Sequence, residues 1–133
     1  MVTTMRRTAS QVGLREDQWN AAKLEVRHAI LDAAYDRRMT SYGEVAAQVR
    51  SIRVDPASSL MSDLLGGVFE DEYDAGGPAL TAIVTYQYSD REPASSFYQE
   101  ARTLGYRFTE PHAFWAEQVQ RVFSEHGRAD RHR

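Results

Sequence analysis

The 133-residue sequence contains no cysteine, and a single lysine accompanies fifteen arginines among its basic residues. The lack of cysteine excludes disulfide bonds, thiolate nucleophiles and cysteine-ligated zinc. No apolar run approaches the ~18 residues of a membrane-spanning helix, and residues 1–10 contain no apolar signal core. These absences predict a cytoplasmic protein with no membrane contact. The preference for arginine over lysine favours a bacterial protein from a GC-rich genome.

What the sequence does contain is typical of one globular domain. Apolar residues make up 42% of the chain and charged residues 26%, as in ordinary folded domains. The length fits a single core that needs no metal ion or disulfide bond for stability. We predict a globular domain over residues 13–127, preceded by a flexible arm over residues 1–12 and followed by a flexible tail over residues 128–133.

Apolar residues recur at three- and four-residue spacing in the first half of the chain, which is typical of amphipathic helices. The first predicted helix runs from an N-cap at Asp17 to about Asp36. The next four-residue signal, Ser41-Tyr42-Gly43-Glu44, has the form of a capping box, in which serine and glutamate side chains bond reciprocal backbone donors. It predicts a short helix from Tyr42 to about Val49.

A third helix is predicted to start at Asp55-Pro56, an N-cap acid followed by proline at the first helical position. It reaches Val68, and its Gly66-Gly67 pair either ends it or lets another element pack closely. The later predicted elements are a strand over Ala79–Tyr88, a helix from Ser95 or Ser96 to Leu104, a short strand over Tyr106–Phe108 and a helix from about Pro111 to Gly127. This order predicts an α+β fold, a small helix-dominated single domain of about five helices with a two- or three-stranded sheet.

Charge is divided unevenly between the two halves of a chain whose formal net charge is -3. Residues 1–56 contain nine basic and seven acidic side chains, whereas residues 57–133 contain seven basic and twelve acidic ones. The leading half is therefore the better candidate for contacting a polyanion, whereas the acidic cluster of Glu70, Asp71, Glu72 and Asp74 suits a basic partner.

The segment Met39-Thr40-Ser41-Tyr42-Gly43-Glu44-Val45-Ala46 lies between the first and third predicted helices. Over Arg37 to Val68 the chain resembles the DNA-binding helix pair of the DNA alkyltransferase and alkyltransferase-like family, a winged-helix group, and the closest match is Tyr42–Ala46. The family's reactive Pro-Cys-His-Arg motif is absent, which excludes alkyl transfer. The resemblance implies a winged-helix-like module that binds double-stranded DNA and is not an enzyme.

The resemblance also implies which residues would meet the nucleic acid. The third helix would face the major groove, and Tyr42 takes the place of the family's phosphate-contacting tyrosine. The remaining interface residues are then Arg37, Arg38, Arg50 and Arg53 for phosphate, and Ser58, Ser59 and Ser62 on the outward face of the helix. That helix contains no arginine, lysine, asparagine or glutamine, which make most bidentate base contacts, and it carries Asp63. Ordinary helix packing is therefore the alternative explanation of this segment.

A second interpretation is a protein-interaction or regulatory subunit, with another protein or a second copy of the chain (a homodimer) as its partner. An acidic cluster follows the third predicted helix, and two late tyrosines are candidate contact anchors: Glu70, Asp71, Glu72, Asp74, Tyr88 and Tyr98. The four histidines are scattered, and the sequence contains no serine-nucleophile, phosphate-loop or dinucleotide motif. No cofactor or metal is therefore expected, and an enzyme with an unrecognised site is the third interpretation.

Overall fold

The computed structural model describes residues 7–87, 93 and 95–129, which form five helices and a parallel sheet of two short strands. In chain order the elements are a 3₁₀ turn at Ser10–Val12, α1 at Glu16–Tyr35, β1 at Thr40–Ser41, α2 at Tyr42–Ala47, α3 at Ser59–Asp74, a second 3₁₀ turn at Leu80–Ile83, β2 at Val84–Thr85, α4 at Ser95–Leu104 and α5 at Pro111–His126. The prediction of a small helix-dominated domain with a minor sheet is confirmed.

Helix α3 packs against α1, α4 and the second 3₁₀ turn, and it continues through the Gly66-Gly67 pair. Both glycines are buried, and a Cβ atom on Gly67 would lie 2.9 Å from the Trp19 ring and 2.9 Å from the Lys23 stem, both on α1. The close approach of α1 and α3 therefore depends on the missing side chain, which is the second of the two roles predicted for the pair. Buried side chains along α3 include Met61, Leu64, Leu65, Val68 and Phe69.

The start of α3 differs from the prediction by three residues. Ser58 is the N-cap, and its hydroxyl accepts a hydrogen bond from the Met61 N–H at 3.2 Å. Asp55 instead closes a turn before the helix, where its carboxylate accepts from the Ala57 N–H at 2.8 Å. Two capping side chains three residues apart compete for one helix start, and the serine that directly precedes the buried stripe takes the position.

Helices α1 and α2 have the predicted bounds to within two residues, apart from their caps. Helix α1 is capped at Arg15, whose backbone N–H donates to Gln18 Oε1 at 3.0 Å, so the prediction of Asp17 as N-cap is wrong. Helix α2 has half of the predicted capping box, because Ser41 Oγ accepts from the Glu44 N–H at 3.2 Å. The Glu44 carboxylate bonds a threonine hydroxyl and an arginine instead of the backbone.

The predicted strand over Ala79–Tyr88 is wrong for most of its length. Leu80–Ile83 forms a 3₁₀ turn, and Val84–Thr85 alone pairs as a strand, in parallel register with Thr40–Ser41. Tyr88 lies outside the described residues. A short apolar segment that is buried on all sides shows no alternation of apolar and polar residues. Its sequence therefore cannot distinguish a strand from a 3₁₀ turn.

Helix α5 supplies the hydrogen-bond partners that neighbouring strands would have given this buried segment. Trp115 Nε1 donates to the Ala82 carbonyl at 2.7 Å, and Gln118 Oε1 accepts from the Ala79 N–H at 3.3 Å. Buried backbone groups must be paired. Because the Trp115 and Gln118 side chains pair the Ala82 carbonyl and the Ala79 N–H, this segment can depart from the extended conformation without unsatisfied groups at these two positions.

The predicted strand over Tyr106–Phe108 is also wrong, since these residues form an irregular connection between α4 and α5. Their rings pack on Phe114 of α5, with centroid distances of 5.2 Å for Tyr106 and 4.2 Å for Phe108. Gly105 follows the last residue of α4 with a φ of 119°, a conformation that favours glycine. Aromatic residues are typical of strands, but here they close one end of the core.

Residues 7–12, which the sequence assigns to the N-terminal arm, lie against the domain. Ala9 is buried, and backbone hydrogen bonds from Val12 and Leu14 to the Ala9 carbonyl hold the first 3₁₀ turn. This course brings the Arg7 side chain across α3 at Gly66 and towards α4.

Candidate binding cleft

Arg7 is the centre of a charged cluster formed by the N-terminal arm, α3 and α4. Its Nε donates to Asp63 Oδ1 at 3.2 Å, and its Nη1 donates to Glu70 Oε2 at 2.5 Å. Its Nη2 donates to Glu100 Oε1, and its backbone N–H donates to Glu70 Oε1 at 3.1 Å. Three carboxylates thus converge on one guanidinium, and the cluster has a net charge of -2 when all four side chains are ionised.

Burial and charge act differently on the members of this cluster. Burial raises the pKa of Glu70 and the nearby charge of Glu100 raises it further, while hydrogen bonds from Arg7 and its charge oppose the increase. Burial alone would lower the pKa of Arg7, but its hydrogen bond to Glu100 and the charges of Glu100 and Glu70 raise it instead. The guanidinium therefore stays charged, and Glu70 binds a proton at a higher pH than an exposed glutamate does.

A cavity of about 60 Å³ lies beside the Arg7 guanidinium, with room for a few water molecules. Its lining includes Phe69 and Phe97, together with four residues that carry hydroxyl groups: Tyr42, Ser62, Thr81 and Ser96. Tyr42 is 7% exposed. Burial raises the pKa of Tyr42 despite hydrogen bonds of its hydroxyl with Ser96 and Ser62. The phenol is therefore neutral at physiological pH and serves as a polar anchor of the cavity.

An open groove of about 450 Å³ continues from the cavity, and Arg7, Ser96 and Glu100 line both spaces. The other side chains of the groove are polar and lie on the arm, α3 and α4: Gln11, Glu70, Gln99 and Thr103. We call the groove, together with the cavity and the three carboxylates around Arg7, the acidic cleft. Its chemistry suits a ligand with hydrogen-bond donors and positive charge.

The predicted acidic cluster is part of helix α3 and does not form a loop after it. Glu72 is buried, and its Oε2 accepts from Arg27 Nε at 2.5 Å. Asp71 accepts from Lys23 Nζ at 2.8 Å, so both residues join α3 to α1. Asp74 is exposed at the end of the helix. Of the four predicted acidic residues, Glu70 contributes to the acidic cleft.

The two tyrosines predicted as partner anchors have different outcomes. Tyr98 is half-buried on α4, with its ring 5.7 Å from Phe97 and 6.1 Å from Phe108 in centroid distance. Tyr88 lies outside the residues that the structure describes. The aromatic side chains of α4 thus pack mainly on the core.

The four arginines predicted to contact phosphate are all exposed, two on either side of α2: Arg37, Arg38, Arg50 and Arg53. Arg37 Nε donates to the Arg128 carbonyl at 3.2 Å, and Arg38 pairs with Asp36 at 3.7 Å and Glu44 at 3.4 Å. The connection that follows α2 is fixed through its backbone, because Glu25 of α1 accepts from the Arg50 and Ser51 N–H groups.

The helix predicted to read DNA bases is largely buried. Ser58 caps α3, Ser59 is exposed in its first turn, and Ser62 is hydrogen-bonded with the buried Tyr42. The rest of α3 is packed through its buried apolar side chains, and through Gly66 and Gly67, which allow Arg7 and α1 to approach closely. Within the described part of the chain, the structure does not show a winged helix.

Sequence reasoning missed Arg7, Glu100, Thr81 and Ser96 as site residues, and it treated Asp63 only as an obstacle to DNA binding. Arg7 is separated from its three partners by 56, 63 and 93 residues. No local spacing relates residues so far apart, so the fold alone brings them together. The available signal was Gly66, since a glycine inside a helix indicates close approach by another group.

No family model, curated protein or solved structure matches this chain. The described residues contain no group of three histidine, aspartate or glutamate side chains placed to hold a metal ion. Nor do they contain a helix that is long and apolar enough to span a membrane. The acidic cleft and the exposed arginines are the two features of the described residues that bear on function.

Proposed function

We propose that this protein is a non-enzymatic protein-interaction module that receives a basic segment of a partner protein in the acidic cleft. The observation that supports the proposal is the convergence of Asp63, Glu70 and Glu100 at the wall of an open groove. One guanidinium faces three carboxylates there, so negative charge is left to attract a cation. The partner remains basic, as predicted, and of the predicted contact residues Glu70, Asp71, Glu72, Asp74, Tyr88 and Tyr98 the proposed surface retains Glu70.

The contact is expected to combine weak charge pairs with hydrogen bonds along the groove. Gln11, Gln99 and Thr103 make the rest of the groove lining polar, which suits a bound segment that forms hydrogen bonds. Since the groove is open, its charge pairs are partly screened by salt, and moderate affinity is expected.

The test is the binding of a fluorescent peptide with alternating basic and glycine residues, measured by anisotropy at low salt. Substitution of Glu100→Gln is expected to weaken binding by about 1 kcal/mol, or about fivefold in Kd. Glu117→Gln is the matched control, because it removes the same charge from an exposed position on α5. An acidic peptide of equal length should not bind.

Two results would contradict the proposal: no binding of the basic peptide at low salt, or equal weakening by both substitutions. Sedimentation of the unliganded protein at increasing concentration tests the predicted homodimer. A dimer that Glu100→Gln dissociates identifies a second copy of the chain as the partner.

DNA binding is the second candidate function, and one observation favours it: Arg37, Arg38, Arg50 and Arg53 are all exposed around α2. Because α3 is largely buried, such binding would use phosphate contacts from these arginines with little base recognition. The double substitution R50Q/R53Q should reduce a duplex gel shift at low salt, whereas exposed Arg107→Gln should not. Migration of the duplex unchanged at low salt would reject this function.

A further inference from the structure

We infer that Arg7 is a built-in occupant of a guanidinium-binding socket, and that an arginine side chain of the partner takes its place. The socket consists of Asp63, Gly66, Glu70 and Glu100. The inference rests on the proposed function and adds to it the chemical identity of the basic group and a competing contact within the chain.

The carboxylates of the socket are placed to accept from all three nitrogens of a guanidinium group. The Nε, Nη1 and Nη2 nitrogens of Arg7 donate to Asp63, Glu70 and Glu100 respectively, and Nη1 also donates to the second carboxylate oxygen of Glu100 at 3.3 Å. A planar fork of donors satisfies this arrangement at once, whereas an ammonium group offers its donors from one point. The socket should therefore discriminate between arginine and lysine.

Gly66 provides the flat floor of the socket. A Cβ atom at this position would overlap the Arg7 Cζ, Nη1 and Nη2 atoms together, and it would lie 2.8 Å from Nη2, the farthest of the three. Similar distances to all three atoms show that the guanidinium presents its face to the backbone of α3. A glycine in mid-helix is unfavourable by about 1 kcal/mol relative to alanine, so its presence here is explained by the group that covers it.

The surroundings of Arg7 allow another side chain to replace it. Its side chain is 26% exposed, and the open groove begins at Arg7, Glu70 and Glu100. The cavity adjoins the socket at Arg7, Gly66 and Glu100. An incoming arginine can thus approach along the groove while Arg7 swings away on the arm, and the socket carboxylates keep a cation throughout.

The test compares wild-type protein with Arg7→Ala by titration with N-methylguanidinium and with methylammonium. The melting temperature of the Arg7→Ala protein should rise saturably with N-methylguanidinium and much less with methylammonium, while wild type responds to neither. An arginine-containing peptide should bind Arg7→Ala at least about tenfold more tightly than wild type, because a tethered competitor has been removed.

Two further variants control the interpretation. Arg15→Ala removes an arginine whose side chain is 71% exposed, and it should behave as wild type. The double variant R7A/G66A places a methyl group on the floor of the socket and should lose the response to N-methylguanidinium. If Arg7→Ala does not fold, Arg7→Gln carries the same comparison, since it retains a donor while removing the charge.

The outcomes separate this inference from the proposed function. The socket is overturned if the melting temperature of Arg7→Ala responds equally to both cations, or if wild type and Arg7→Ala respond equally to N-methylguanidinium. If peptide affinity still depends on Glu100 in that case, the proposed function stands without the socket. Rescue by N-methylguanidinium without peptide binding to any variant overturns displacement by a partner and the proposed function together.

Discussion

At the scale of single residues, Glu25 joins helix α1 to the connection between α2 and α3. Its Oε1 accepts hydrogen bonds from the Arg50 N–H at 3.2 Å, the Ser51 N–H at 3.1 Å and the Ser51 hydroxyl at 2.6 Å. Burial alone would raise the pKa of Glu25, but the hydrogen bonds from Ser51 and Arg50 outweigh it and lower the pKa. These bonds are stronger to the ionised carboxylate than to the protonated carboxyl group, which is why they lower the pKa.

The lowered pKa of Glu25 predicts a specific acid sensitivity. Because the folded pKa lies below the unfolded value of about 4.3, the stabilisation is complete above that value and is lost as the pH falls through the folded pKa. Glu25→Gln should lower the free energy of unfolding by about 1 kcal/mol at neutral pH and by less in acid. Urea denaturation over a pH series measures this difference, and Asp32→Asn, an exposed change on the same helix, should show no such pH dependence.

At the scale of secondary-structure elements, the α1–α3 contact depends on Gly67. An added methyl group at Gly67 would meet the buried Trp19 ring and the Lys23 stem at 2.9 Å, and the rigid indole has little room to move. Overpacking of this kind costs about 1–3 kcal/mol, which exceeds the gain of about 1 kcal/mol from higher helix propensity. We therefore expect Gly67→Ala to destabilise the protein.

The comparison that checks this prediction is Gly43→Ala in α2. A Cβ atom at Gly43 would meet nothing closer than Ser41 Oγ at 3.9 Å, so helix propensity should decide the sign there. Thermal or urea unfolding should show Gly43→Ala as neutral or stabilising and Gly67→Ala as destabilising. Equal effects at both positions would show that α1 and α3 do not depend on the glycine.

The sequence predicted those elements whose apolar spacing is regular, and α1 and α5 are the clearest examples. It failed where tertiary contacts decide the backbone conformation. Leu80–Ile83 has strand-like composition but forms a 3₁₀ turn, because Trp115 of α5 bonds its backbone. Helix α3 continues past Gly66-Gly67 because the cost of two glycines is offset by packing against α1 and by the approach of Arg7.

At the scale of the whole molecule, Arg7 connects the N-terminal arm to α3 and α4. Arg7→Ala should lower the free energy of unfolding by about 2–4 kcal/mol at neutral pH, because it leaves Glu70, which is 5% exposed, without its cation. The double variant R7A/E70Q should recover most of that loss, since the uncompensated charge is gone. Arg15→Ala, which breaks an exposed pair, should change stability by less than about 0.5 kcal/mol.

The pH dependence of Arg7→Ala follows from the raised pKa of Glu70. The pKa of Glu70 in the folded protein lies above the value of about 4.3 that a glutamate has in the unfolded chain. Protonated Glu70 therefore stabilises the fold fully below about pH 4.3, and this contribution is lost as the pH rises through the folded pKa. The removal of Arg7 raises the folded pKa further. The loss of stability in Arg7→Ala should therefore be smaller in mild acid than at neutral pH, and urea denaturation at both conditions checks it.

The composition and the resemblance pointed to Arg37, Arg38, Arg50 and Arg53, whereas the structure brings Arg7, Asp63, Glu70 and Glu100 together. Arg7 and Glu100 could not be singled out from the sequence, because a cluster formed by an arm and two helices has no regular spacing along the chain. The predicted acidic cluster suggested a basic partner, and the proposed cleft keeps that hypothesis with a different set of carboxylates.

The position of Arg7 also affects how the protein should be prepared for experiments. An affinity tag fused ahead of Met1 would be tethered only six residues from Arg7, and a histidine-rich tag carries cationic side chains at mildly acidic pH. Such a tag would compete for the cleft and would mask the contacts that the assays seek to measure. A cleavable tag, or one attached after residue 133, avoids this artefact.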